Sequence, residues 1–112
     1  MGELNLLEVG LLTLIINENK EKHPYLPTDL KAVKVKERTY RGVGTFTYFE
    51  YPAPELLPKD TSISSQRNLI IKGLENPLSY ELNLTNGKMD FLEIVTNGNE
   101  KWDGNSDGFI LE

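Results

Sequence analysis

The chain has 112 residues, 38% of them hydrophobic and 26% charged, a net charge of −5 and no cysteine. Residues 1–112 therefore have the size and make-up of one globular domain with one core. Disulfides and thiolate metal sites are excluded, a reducing compartment such as the cytoplasm fits, and an isoelectric point near 4.9 speaks against a nucleic-acid binder.

Leu4, Leu7, Leu11 and Leu14 recur at helical spacing, and Leu12, Ile15 and Ile16 widen the stripe. The run Leu4 to Ile16 is expected to be a helix that faces the core. It contains Asn5, Glu8 and Gly10 and falls short of the roughly 20 apolar residues that cross a bilayer. No Lys or Arg precedes it, as one would in a secretory leader.

Asn17 to Lys22 ends the helix, Pro24 and Pro27 keep the next stretch extended, and Thr28-Asp29 offers a cap for one short turn before Ala32. His23 is the only histidine, which excludes a multi-histidine metal site, and its proline-flanked loop is a poor setting for a general base.

From Ala32 the period changes to two. Val33 and Val35 point one way, Lys34, Lys36 and Arg38 the other, as in a half-buried strand. With Arg41, these bases lie near Tyr40, Phe46, Tyr48, Phe49 and Tyr51, a mix suited to stacking on single-stranded nucleic acid that the overall acidity outweighs. Arg41-Gly42-Val43-Gly44 reads as a turn; it has neither the third Gly nor the Lys-Ser/Thr of a phosphate loop. Thr45 to Tyr51 is a second strand, closed by Pro52-Ala53-Pro54. Glu55 to Arg67 lacks periodicity and is expected to be an irregular crossing loop, and Leu69 to Leu74 a short strand.

Leu78 to Thr96 carries the clearest signal, two β-type runs joined by Asn86-Gly87, whose residues readily take the positive φ of a two-residue hairpin turn. A regular hairpin pairs Leu84 with Met89, Leu82 with Phe91, Tyr80 with Glu93 and Leu78 with Val95 on one face. Glu81, Asn83 and Asp90 then lie on the other face, together with Leu92 and Ile94, which calls for a bulge after Phe91 or for cover by the tail. In this register Glu93 sits among apolar neighbours and needs a donor from Arg38, Arg67 or the Tyr80 hydroxyl. Glu81 and Asp90 are kept away from it, so no catalytic acid pair forms.

Trp102 is a candidate core plug or binding anchor. Asp103-Gly-Asn105-Ser-Asp107-Gly108 copies the first half of a calcium loop, which makes Asp103, Asn105 and Asp107 the candidate metal ligands. The bidentate acid of the twelfth position has no counterpart, and such runs are ordinary turn material.

One helix and about five short strands predict an α+β domain, the N-terminal helix packed on an antiparallel sheet that includes the hairpin. Three segments together resemble a family of small uncharacterised bacterial proteins: Leu4 to Ile16, Arg38-x-x-x-Gly42-Val43-Gly44-x-Phe46-Thr47, and Asn86-Gly87 with Leu92-Glu93-Ile94, Gly98, Glu100 and Trp102. Relatives more often carry an acid and a Thr where Thr39 and Arg41 stand here. By analogy of type, the resemblance implies an immunity or accessory protein that accompanies a secreted bacterial toxin. Residues 75 to 112 hold eight acids against two lysines, and such an acidic surface suits a basic toxin.

The expectation is a non-enzymatic protein-binding domain without cofactor, acting on neither membrane nor nucleic acid, with Glu93, Trp102 and Arg38 as binding residues. A small-ligand-binding or homodimeric structural role is the alternative.

Overall fold

The computed structural model describes residues 2–52 and 60–112. Helix α1, Leu6–Glu18, begins at a capping box in which the Asn5 side chain accepts the Glu8 N–H at 2.8 Å and the Glu8 carboxylate accepts the Asn5 N–H at 2.8 Å. Its buried stripe is Leu7, Glu8, Leu11, Leu12, Ile15 and Ile16, while Leu4 and Leu14 are only half covered. The core-facing side thus takes in an acid that the leucine spacing passes over. Leu30–Ala32 forms one 3-10 turn, capped by Asp29 as the Thr28-Asp29 pair suggests.

Seven strands follow among the described residues: β1 Lys34–Tyr40, β2 Gly44–Glu50, β3 Thr61–Ile63, β4 Leu69–Ile70, β5 Ser79–Thr85, β6 Lys88–Val95 and β7 Ile110–Leu111. Five form one antiparallel sheet in the order β1-β2-β6-β5-β3, and β4 pairs with β7 in a two-stranded sheet. The α+β reading is therefore right: α1 packs with the five-stranded sheet through one core cluster. Two expectations for the middle of the chain are not met. The segment Glu55 to Arg67, of which 55–59 lie outside the described residues together with Ala53 and Pro54 of the preceding Pro-Ala-Pro, contains β3. The strand expected over Leu69 to Leu74 stops at Ile70, and the Leu74 N–H turns back to the Ile71 carbonyl at 3.1 Å.

Asn86 and Gly87 take φ of 53° and 80° and build the expected hairpin between β5 and β6. Leu84 opposes Met89 as predicted, but Asp90 is an extra residue, so that Asn83 opposes Phe91, Leu82 opposes Leu92, Glu81 opposes Glu93 and Tyr80 opposes Ile94. The predicted pairs Leu82–Phe91, Tyr80–Glu93 and Leu78–Val95 do not form. The bulge lies just before Phe91 rather than after it, and beyond it every side chain of β6 changes face.

Magnitudes explain the choice. Burying Leu92 and Ile94 gains roughly 1.5–3 kcal/mol each, whereas the regular register buries Glu93 at a cost of several kcal/mol. Leu82, Leu92 and Ile94 are 0%, 0% and 2% exposed.

A second shift, between Val35 and Glu37, brings Arg38 opposite Thr47, so Arg38 leaves the face it was expected to share with Lys34 and Lys36. No common basic face exists: Lys34 pairs with Glu3 at 2.8 Å, and Arg38 turns to the helix. Where β2 begins beside the end of β6, a Cβ on Gly44 would stand 2.5 Å from the Ile94 carbonyl oxygen, so only glycine lets the two strands approach there. No helix of the described residues is long and apolar enough to cross a membrane.

Candidate functional site

The covered face of the sheet holds the strongest polar cluster. Glu8 is 2% exposed, and its carboxylate accepts four hydrogen bonds: from Arg38 Nη2 at 2.6 Å and the Asn5 N–H at 2.8 Å on Oε1, from Arg38 Nε at 2.7 Å and Thr47 Oγ1 at 2.9 Å on Oε2. A bidentate guanidinium with two further donors saturates the acid, as a buried charge requires. Hydrogen bonding to the Glu8 carboxylate is the main reason the Arg38 guanidinium is held above its usual pKa, burial opposing it. Arg38 is thus a salt-bridge partner, as expected, but of Glu8. The Tyr80 hydroxyl likewise donates elsewhere, to the Arg67 carbonyl at 2.6 Å.

The other face is uncovered by any described element of the core cluster. Two neighbouring rows cross it. One runs Glu81, Glu93, Phe46, Thr39 and the other Ser62, Asn83, Phe91, Tyr48, Glu37. Of these nine positions three are acids and none is a base. Phe91 sits at the centre, its ring centroid 6.0 Å from that of Phe46 and 5.1 Å from that of Tyr48. The Arg41 guanidinium, from the turn before β2, lies 5.3 Å from the Phe46 centroid.

Glu93 stands half-buried on this open face, not among Tyr80, Leu82 and Val95 in the core, and directly opposite Glu81. The expected separation of Glu81 from Glu93 is overturned by the same bulge. Paired like charges repel across strands. Nδ2 of Asn83 is shielded and finds no acceptor among the described residues, while its Oδ1 accepts from Ser62 Oγ at 2.8 Å. Leu92 and Ile94, which the regular register places on this face, belong to the core.

Trp102 is 6% exposed. Its backbone N–H donates to the Gly42 carbonyl at 2.9 Å and its indole N–H to the Asn105 carbonyl at 2.9 Å. In the calcium-like run, Asp103 Oδ1 accepts the Asn105 N–H at 2.8 Å and Asn105 Oδ1 accepts the Asp107 N–H at 2.9 Å, the local side-chain turns that Asp and Asn make without a metal. No group of three or more His, Cys, Asp or Glu side chains among the described residues is placed to hold a metal ion. His23 Nδ1 lies 2.9 Å from the Tyr25 hydroxyl. Glu100 accepts the N–H groups of Glu75 at 2.7 Å and Asn76 at 3.0 Å, which hold its carboxyl below the usual value of 4.5.

The structure therefore separates the three expected binding residues: Arg38 on the covered face, Glu93 on the open face, Trp102 in the C-terminal segment. Sequence reasoning missed Glu8 and the Phe46, Tyr48 and Phe91 platform. Glu8 had a signal, since Asn5-x-x-Glu8 has the spacing of a capping box and Glu8 precedes Leu12 and Ile16 by four and eight residues. Compared with known proteins, the chain matches no family model, no curated protein and no solved structure.

Proposed function

We propose that this chain is a non-enzymatic, cytoplasmic protein-binding domain that docks a basic partner on the open face of its sheet. The observation that carries this reading is the nine-position grid, an aromatic centre with three acids and no base among the nine positions. Clustered aromatic rings are the side chains that anchor interfaces. The opposed Glu81 and Glu93 repel each other until a Lys or Arg of a partner comes between them. Two copies of this chain stacked on the same face would set three acids against three, which favours a different, basic chain over a homodimer.

Neutralisation of a basic bacterial toxin is the most concrete version, supported by small size, acidity and the resemblance carried by Arg38, Gly42-Val43-Gly44 and the Asn86-Gly87 hairpin. An enzymatic role is disfavoured because Glu81 and Glu93 meet on a sheet face rather than in a cleft.

The test is affinity capture of the tagged protein from native lysate at low and raised salt, beside a Phe91→Ser/Glu93→Lys variant. A stoichiometric basic protein that salt releases and the variant fails to hold is the expected result. Equal capture by the variant, or recovery of this chain alone, overturns the reading.

A further inference from the structure

A second site lies away from the sheet face, where three segments meet: the turn between β1 and β2, the turn after β4, and the segment after β6. They enclose an open groove of about 930 Å3, within the range of small-molecule sites. Hydrogen bonds tie the walls together. The Trp102 N–H reaches the Gly42 carbonyl and the Thr96 N–H the Val43 carbonyl at 2.8 Å, while Glu100 clasps the Glu75 and Asn76 N–H groups. The groove is thus set before any ligand arrives, which lowers the cost of binding.

Its lining combines an apolar floor of Val43, Leu74 and Trp102 with three bases, one from each segment: Arg41, Lys72 and Lys101. None of the three has an ion-pair partner among the described residues. Asp103 and Asp107 line it too, but Asp103 Oδ1 already serves the Asn105 N–H, and the bases outnumber the acids on a chain whose net charge is −5. Gathering three bases against an apolar floor makes sense for a ligand with an anionic head and an apolar body.

From this we infer that the groove binds a small aromatic anion, its carboxylate or phosphate held among Arg41, Lys72 and Lys101 and its ring against Trp102, Val43 and Leu74. The site is independent of the sheet face except for Arg41, which also touches Phe46, so the test rests on the two lysines.

Trp102 is the only tryptophan and reports the groove by its fluorescence. Phenylacetate and phenyl phosphate are titrated against the full chain, with 2-phenylethanol and phenethylamine as neutral and cationic controls. The expected result is a saturable change with at least one anion, weakened about tenfold in Lys72→Gln or Lys101→Gln, the value of one charge-assisted contact, and unaltered in Phe91→Ser. The stronger of the two anions identifies the head group. No saturable change with either anion, an equal response to 2-phenylethanol, or full binding in both lysine variants overturns the inference. Because Phe91→Ser, silent here, is one of the two changes in the variant expected to abolish capture, the two sites fail separately.

Discussion

The two faces of the five-stranded sheet are made by the same strands, and a glutamate meets each beside large side chains, from α1 on one and from β6 on the other, yet they treat that acid in opposite ways. On the covered face Glu8 is enclosed and receives four hydrogen bonds, two of them from Arg38. On the open face Glu93 stands half-buried, opposite another acid. An acid enclosed by the fold must be neutralised within the fold, whereas an acid left at an aromatic surface is available to a partner. The device that sorts the two faces is Asp90, the single extra residue of β6.

The contrast is broken most severely by taking volume from the covered face. Leu92→Ala is expected to cost about 3 kcal/mol by urea unfolding, while Phe91→Ala, one residue away on the open face, costs about 1 kcal/mol or less. Equal losses would mean that the faces are not distinct. Glu8→Gln is expected to cost about 2–3 kcal/mol in the same assay, because it leaves the Arg38 guanidinium without its counter-charge; the partial exposure of Arg38 keeps the loss at the low end.

Deleting Asp90 sharpens the comparison. Without it, Met89, Phe91, Leu92, Glu93 and Ile94 alternate in, out, in, out, in against the register already present. The shortened chain is expected to stay folded, losing about 1 kcal/mol with the Thr85–Asp90 hydrogen bond and the local twist. Its two-dimensional amide spectrum should keep the shifts of β2 and β5, and a collapsed spectrum would place the register elsewhere. Glu93→Gln is expected to change stability by less than about 0.5 kcal/mol, in the stabilising direction, since it removes repulsion from Glu81.

The smallest effect concerns acid. Glu100 has a folded pKa below 4.5, so its contribution is complete above that value and disappears as pH falls through the lowered one. Glu100→Gln is therefore expected to flatten the acid limb of the stability profile below pH 4.5 and to leave its shape unchanged above it.

Local chemistry made part of this legible in advance. The leucine and isoleucine spacing marked α1, Asn86-Gly87 marked the hairpin, and Asp29 marked the 3-10 turn, because each depends on a few adjacent residues. Strand bulges do not. The adjacent Phe91-Leu92 interrupts the alternation of β6 and announces an irregularity, but whether the extra residue falls before or after Phe91 depends on what lies above the sheet. The pairing of Glu8 with Arg38 joins residues 30 apart and needs both the Val35–Glu37 shift and the seating of α1. Phe46, Tyr48 and Phe91 come from two strands, so their platform exists only once β2 lies beside β6. Burial sorted the candidate acids: Glu93, which β alternation assigned to the core, was displaced by Leu92 and Ile94, the side chains with most to gain there.

The absence of native cysteine opens the central claim to direct measurement. Single cysteines placed at 91, 92, 93 and 94 can be labelled with a thiol reagent under native conditions. Phe91→Cys and Glu93→Cys are expected to react like exposed thiols, while Leu92→Cys and Ile94→Cys react on the order of a hundredfold more slowly until denaturant is added. Protection at 93 with rapid labelling at 92 and 94 would restore the unbulged register and contradict the division of the sheet into a sealed face and an open face.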